Sequence, residues 1–184
     1  IFEMIYSQRE NASLSLYRRF LKKLALILPS PCKPILITDA EFRGPWFKTV
    51  EQLGWDYVGR LRGDRKCALE REKFTSLENI RKQATNQPTY LGYGFLNIQK
   101  PHAGYFYSYK APRKGRHAYT RSGCHSETEK SRKQAKSAKE PWIIFSSLKQ
   151  SAGQIIKAYR YRMTIEENFR DLKSGRYCLG LEMT

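Results

Sequence analysis

Hydrophobic and polar positions in the first 63 residues alternate between two periods, that of a strand and that of a helix. The opening run IFEMIY alternates and is rich in aromatic residues, which predicts a strand. Apolar residues then recur at helical spacing from residue 14 to residue 28, with Ser13 as the N-cap and Pro29 as the stop. A strand followed by a helix is therefore the first predicted unit.

The same alternation continues to residue 63. The run PILITD is a short apolar strand that ends on Asp39, and the run PWFKTVEQLG is a helix opened by Pro45 and closed by Gly54. The run WDYVGRLRG predicts the next strand. Strands that alternate with helices indicate an α/β layer with parallel strands, so we assign residues 1–63 to part of an α/β core.

The pattern changes between residues 64 and 150. Gly, Pro and Tyr are frequent there, helical periodicity is poor, and three short strands are predicted from the runs TYLGYGFLNI, GYFYSYKA and PWIIFSS. We therefore predict an all-β insertion subdomain over residues 64–150. Residues 151–184 return to a helical pattern that ends at Gly175.

The charge of the chain predicts a polyanionic partner. Thirty-four Lys and Arg residues stand against 17 Asp and Glu residues, a formal net charge of +17, and nucleic acid is the partner that this excess favours. A membrane is disfavoured, because the sequence contains no run of 18 apolar residues and no basic amphipathic helix of the lipid-packing kind. Residues 110–139 alone hold ten Lys and Arg residues and two acids, which predicts a loop that faces the phosphate backbone.

The four cysteines do not form a metal or disulfide pattern. They stand 35, 57 and 54 residues apart, without a CxxC pair, and the three histidines do not complete a zinc spacing. We interpret them as reduced thiols, and we expect a cytoplasmic protein.

One helical run carries a candidate site. In YRYRMTIEENFRDLK, the side chains of Tyr159, Arg162, Glu166 and Lys173 fall within an arc of about 60° at 100° per residue. A carboxylate flanked by a phenol, a guanidinium and an ammonium could hold a divalent cation and the neighbouring phosphate oxygens. The alternative is an exposed stripe with an ordinary i,i+4 pair between Arg162 and Glu166.

Asp39 strengthens the functional interpretation. It lies at the carboxyl end of an apolar strand, where α/β sheets place ligand-binding groups, although a turn or N-cap role would also account for it. A strand-end Asp together with Glu166 on a later helix, in a basic chain, suggests a two-metal nuclease of the ribonuclease-H-like type.

The sequence resembles a known family. The spacing of Tyr159, Arg162, Glu166 and Lys173 matches the YREK signature of bacterial DDE transposases of insertion-sequence family four. Three further segments resemble the same family: ILITDAEFRGPWFKTVEQLGWDYVGRLRG, SAKEPWIIFSSL and FRDLKSGRYCLGL. The resemblance covers essentially the whole chain and implies a ribonuclease-H-like α/β core, truncated at its N-terminus, with the all-β insertion.

The resemblance also implies roles for individual residues. Asp39 and Glu166 would be the second and third catalytic carboxylates, both ligands of Mg²⁺ (or Mn²⁺) in a two-metal site. Trp142 would stack on a flipped base, although a core position for this tryptophan is equally compatible with the sequence. The remaining candidates would contact the DNA, and they are Tyr159, Arg162, Lys173, Arg113, Lys114, Arg116, Arg121, Lys130, Arg132 and Lys133.

The chain departs from the family pattern at the first carboxylate. That residue lies on the opening strand of the fold, well before the second, and here the only acids before Asp39 are Glu3 and Glu10, which do not fit. We therefore expect a fragment that is inactive alone. The intact protein would cleave double-stranded DNA at transposon ends and join it to target DNA, as a synaptic dimer associated with the bacterial nucleoid.

Two other interpretations remain open. A basic nucleic-acid-binding module without enzymatic activity would use the charge and the twelve tyrosines for backbone and stacking contacts, but it leaves Asp39 and the helical stripe unexplained. A different metal nuclease fold is the second, and the lack of a close Glu-x-Lys pair after Asp39 counts against the restriction-enzyme arrangement.

Overall fold

The computed structural model describes residues 13–42, 44–70, 72–112, 124, 128–129, 131–132 and 140–173, without the side chains of residues 166, 167 and 169–173. The predicted strand IFEMIY lies outside these residues. The described elements are α1 (Leu14–Ile27), β1 (Ile35–Thr38), α2 (Gly44–Gln52), β2 (Asp56–Leu61), β3 (Lys66–Leu69), β4 (Thr75–Ser76), α3 (Leu77–Lys82), β5 (Thr89–Leu96), β6 (His102–Tyr109), β7 (Trp142–Ser146) and α4 (Ala152–Lys173).

The local predictions between residues 13 and 61 are confirmed. The Ser13 hydroxyl accepts a hydrogen bond from the amide of Leu16 at 3.3 Å and so caps α1, which ends two residues before Pro29. Helix α2 starts at Gly44, one residue before Pro45, and Gly54 follows it with a φ of +72°, a left-handed conformation that glycine adopts without strain.

Seven strands form one sheet in the order β1-β2-β7-β6-β5-β3-β4. Strands β1 and β2 are parallel, as predicted, and the other neighbours are antiparallel. Strand β7 pairs directly with β2, where Val58 lies opposite Ser146. The strands of residues 64–150 therefore extend the sheet of the first 63 residues, and the helix α3 lies within the segment predicted to be all-β. The division into three domains remains a prediction.

Helices α1 and α2 cover the first face of this sheet. Phe47 of α2 is fully buried, and its ring stacks on Tyr57 with the centroids 4.4 Å apart. Gly59 makes this close approach possible, because a Cβ atom there would lie 2.6 Å from Cζ of Phe47. Packing of this density fixes the position of α2, the helix that follows Asp39 in the chain.

Helix α4 covers the second face over part of its length. Ile155, Ile156 and Tyr159 are buried against Val58, Tyr107 and Ile144 of the sheet. Near the start of α4, the hydroxyl of Tyr107 donates to the carbonyl of Leu148 at 2.9 Å and accepts from the amide of Gln150 at 3.1 Å. Further along, Ile165 is 54% exposed. None of the described helices is long and apolar enough to cross a membrane.

Candidate active site

Asp39 lies directly beyond the carboxyl end of β1, where the sequence analysis places it. The preceding residue, Thr38, is opposite Gly59 in the last pair of the parallel ladder. The Asp39 side chain is 48% exposed, and its Oδ1 accepts a hydrogen bond from the amide of Ala40. Arg65 holds the loop that follows, because its guanidinium donates to the carbonyls of Ala40 and Phe42 at 3.3 Å each. The carboxylate is thus presented to solvent from a fixed turn.

Arg162 of α4 reaches this carboxylate from the second face of the sheet. Its Nη1 lies 3.7 Å from Oδ2 of Asp39, which is an ion-pair distance and longer than a hydrogen bond. The Arg162 side chain is 19% exposed. The structure therefore brings together one residue from the strand-end motif and one from the helical motif, although 123 residues separate them along the chain.

Tyr159 lies beneath Arg162 and is fully buried. The Arg162 guanidinium carbon is 5.7 Å from the centroid of the Tyr159 ring, within cation–π range. Burial raises the pKa of Tyr159, whereas the charges of Arg162 and Arg60 act to lower it. The phenol is therefore neutral and enclosed by two guanidinium groups. The alternative of an exposed stripe does not hold for Tyr159, because α4 presents this position to the sheet, and contact of Tyr159 with DNA remains a prediction.

Trp142 forms a side wall next to Tyr159. It is half-buried at the start of β7, and its ring meets Tyr159 edge-on with the centroids 5.0 Å apart and the planes at 71°. Tyr109 contacts the same ring at 5.7 Å. This position lies between the two predictions from the sequence, an exposed stacking residue and a core residue, since part of the indole is packed and part faces solvent. Base stacking by Trp142 remains a prediction.

A group of arginines around Glu140 was missed by sequence reasoning. Arg62 lies 3.1 Å from the Glu140 carboxylate, Arg60 lies 3.7 Å from it, and Arg81 lies 3.8 Å from it. We call these four residues the arginine cluster. Burial, and then the charge of Arg62, lower the pKa of Arg60. The spacing of positions 60 and 62 places both arginines on one side of an extended chain, but it does not indicate Glu140 as their partner.

Several predicted site residues are described only in part. The backbones of Glu166 and Lys173 belong to α4, which ends at Lys173, but their side chains lie outside the described part of the structure. Arg132 is exposed, and its amide donates to the carbonyl of Thr128 at 3.0 Å. The other basic candidates lie outside the described residues, and they are Arg113, Lys114, Arg116, Arg121, Lys130 and Lys133.

The donor chemistry at Asp39 suits a hard divalent cation, since it offers a half-exposed carboxylate from a fixed loop. Glu166 lies four residues beyond Arg162 on α4, a spacing that places two side chains on the same side of a helix. Among the described side chains, which do not include Glu166, no three His, Cys, Asp or Glu residues are grouped as metal ligands. Asp39 and Glu166 as joint ligands remain a prediction.

A strand-end carboxylate in an α/β sheet, with a guanidinium from a helix beside it, is characteristic of proteins that act on phosphate groups. A family model described as the transposase DDE domain matches residues 4–180. The chain therefore belongs to the DDE transposase domain family. A search of curated proteins finds no match.

Membership of this family implies a general fold and a general activity. The domain has a ribonuclease-H-like α/β fold, with which the mixed sheet is consistent. Family membership supports a transposase function, that is, phosphoryl transfer on a DNA substrate. Proteins of this family generally use divalent metal ions.

Proposed function

We propose that this chain is the catalytic region of a cut-and-paste DNA transposase of the YREK group, in insertion-sequence family four, similar to the transposase of the tetracycline-resistance composite transposon. The observation that carries the proposal is the 3.7 Å contact between Asp39 and Arg162. It joins the strand-end acid to the YREK helix in a chain that matches the transposase DDE domain.

Arg162 is suited to hold a DNA phosphate at Asp39. A guanidinium offers several donors in a fixed plane, and this one is held from below by the ring of Tyr159. Because Tyr159 is buried and its phenol is neutral, we assign it the role of positioning Arg162. Lys173 would contact a phosphate further along α4, and Trp142 would stack on an unpaired base next to Tyr159.

Mg²⁺ (or Mn²⁺) held by Asp39 and Glu166 would stabilise the charge on the attacking and leaving oxygens of an in-line phosphoryl transfer. The family pattern calls for a third carboxylate, and neither Glu3 nor Glu10 fits it. We therefore propose DNA and metal binding, rather than turnover, as the properties to measure with this chain.

The same proposal assigns roles to the insertion, to its basic segment and to a complex of two copies. Residues 64–150 would be an insertion between the second and third carboxylates, and its basic segment would lie along the DNA backbone. Transposon ends and target DNA would be bound by two copies of the intact protein in one complex, at the bacterial nucleoid. Charge neutralisation by the basic segment would give salt-sensitive affinity.

The test is the effect of metal on DNA affinity. We would measure binding of a fluorescently labelled 30-base-pair duplex in EDTA and in Mg²⁺, with the wild type, Asp39→Asn and Glu166→Gln. We expect Mg²⁺ to strengthen binding by the wild type several-fold, because the cation bridges carboxylates and phosphate, and to have no such effect on either variant.

Glu72→Gln is the matched control, because Glu72 is an exposed carboxylate away from Asp39 in the chain. It should keep the full Mg²⁺ response. If the wild type binds DNA equally well in EDTA and in Mg²⁺, the metal site is wrong, and the chain behaves as the basic nucleic-acid-binding module without enzymatic activity.

A further inference from the structure

A cavity of about 750 Å³ lies on the first face of the sheet, between α1, α2 and the turn that joins β5 to β6. Five of its lining residues are cationic and one, Asp64, is acidic. The cationic residues are Arg18, Lys48, Arg65, Lys66 and Lys100, and Gln52, Asn97 and Gln99 add amide groups. We call this the lysine cavity.

Four of the five cations have no ion-pair partner among the described residues. The side chains of Arg18, Lys48, Lys66 and Lys100 are exposed, and none of them forms an ion pair or a side-chain hydrogen bond with another residue that the structure describes. Like charges that converge on one cavity repel each other, and a bound anion relieves that repulsion. Arg65 differs, because its guanidinium is used to hold the backbone of the loop after Asp39.

The walls of the cavity are fixed before any ligand arrives. The amide of Asn97 donates to the carbonyl of Lys66 at 2.9 Å, and this joins the β5–β6 turn to β3. Gly44 fits closely under the same turn, since a Cβ atom there would lie 3.2 Å from Nδ2 of Asn97. On the far side of the cavity, His102 is buried, and its Nε2 lies at hydrogen-bond distance, 2.9 Å, from the hydroxyl of Tyr57. A preorganised pocket loses little entropy when it binds a ligand.

The lining also indicates which part of a ligand is recognised. The described residues that line the cavity include no Phe, Tyr or Trp, so they offer no platform for stacking a base. Lysine ammonium groups act as point charges towards phosphate oxygens, without base discrimination. The cavity is also larger than one phosphate group requires, and its cations are contributed by α1, α2, β3 and the β5–β6 turn, which suits an extended polyanion.

We propose that the lysine cavity is a second DNA-binding site, which takes the phosphodiester backbone of a duplex independently of base sequence. It requires neither Asp39 nor Glu166 and so goes beyond the proposed function. Arg65 lines the cavity and also holds the loop of Ala40 and Phe42. Arg65 thus connects the lysine cavity to the loop that presents Asp39. A duplex bound in the cavity would therefore pass beside the candidate active site.

The test compares two double variants with the same loss of charge. Lys48→Ala with Lys100→Ala removes two cavity lysines, and Lys73→Ala with Lys82→Ala removes two exposed lysines that do not line it. Binding of a labelled 30-base-pair duplex is measured in EDTA over a range of salt concentrations, so that the proposed metal site makes no contribution. Circular dichroism melting confirms that both variants are folded.

The cavity variant should lower the slope of log affinity against log salt by about 2, since each lost phosphate contact removes ~0.9. The control variant should leave the slope within experimental error. A second duplex of scrambled sequence should lose affinity by the same factor. Equal slopes for the two variants would overturn the proposal, because the effect would then come from net charge alone.

A further arm separates DNA from small phosphates. Inorganic phosphate is compared with chloride at matched ionic strength, and the melting temperature of the wild type is measured in each. If phosphate stabilises the wild type but not the cavity variant, while the DNA slopes remain equal, the cavity binds a small anion and the DNA proposal is wrong. A changed DNA slope supports the proposal whatever free phosphate does.

Discussion

The arginine cluster and the lysine cavity are both rich in cations but use them differently. In the cluster, Arg60 and Arg81 are about nine-tenths buried, and both lie within 4 Å of the Glu140 carboxylate. In the cavity, Lys48 and Lys100 are exposed and form no ion pair with any described residue. A buried charge requires a partner within the protein, whereas an exposed charge can take one from outside.

This difference separates structural cations from ligand-binding cations within one basic chain. A net charge of +17 by itself predicts a polyanionic partner but not where that partner binds. The arginine cluster uses part of its charge to hold β2, α3 and the segment before β7 together. The cluster arginines are thus committed to the fold, whereas the exposed lysines of the lysine cavity remain available for DNA. Variants of the arginine cluster should therefore lose stability, whereas variants of the lysine cavity should lose affinity for DNA.

The largest expected effect is on stability and comes from Glu140→Ala. This change leaves the buried Arg60 without its carboxylate partner and Arg81 with Glu78 alone, and we expect a loss of about 2 kcal/mol in the free energy of unfolding. The figure is below that for a fully buried pair, because the Glu140 side chain is 36% exposed. Urea denaturation measures it, and Glu72→Ala is the control, with an exposed carboxylate outside the cluster. A loss equal to that of the control would show that the cluster is not structural.

The opposite result is expected for the cavity lysines. Lys48→Ala with Lys100→Ala should change the free energy of unfolding by less than about 0.5 kcal/mol, because exposed side chains without partners contribute little to stability. The same urea denaturation experiment measures it. A destabilisation as large as that of Glu140→Ala would mean that these lysines hold the fold, and the comparison between the two regions would fail.

The arginine cluster also shows where sequence analysis stops. Local features were predicted well: the Ser13 cap, the end of β1 next to Asp39 and the parallel pairing of β1 and β2 follow from short-range spacing. The cluster could not be predicted in this way. It joins residues 60 and 140, and it exists because β7 pairs with β2, a choice of neighbour that the period of either strand does not encode.

The candidate site shows the same limit. Helical spacing gave the angle between Tyr159 and Arg162, but an angle does not say which side of a helix faces the sheet. Packing on Val58 and Ile144 buries Tyr159 and leaves Arg162 to reach Asp39. The pairing of helix and strand end was predicted from the resemblance to transposases, and the support of Arg162 by Tyr159 was visible only in three dimensions.

The smallest effects concern His102, which joins the cavity to the core. Burial lowers the pKa of His102, Glu51 opposes this shift, and Lys48 adds to it. Because the folded pKa lies below the unfolded value of about 6.5, the unfolded chain binds more protons at low pH. Stability should therefore be fully present above pH ~6.5 and be lost as pH falls towards the folded pKa. Urea midpoints at pH 7.5 and 5.5 test this, and His102→Gln should reduce the difference.

Lys48→Ala provides the finest comparison, because it links a cavity lysine to a buried group. Removing the Lys48 charge should raise the pKa of His102, measured by NMR titration of its imidazole, with His102→Gln used to assign the signal. Lys73→Ala should leave that pKa unchanged. Duplex DNA bound in the lysine cavity would act in the same direction, since phosphates near Lys48 offset its charge. A His102 pKa that responds to neither Lys48→Ala nor added DNA would show that the cavity and the core are electrostatically separate.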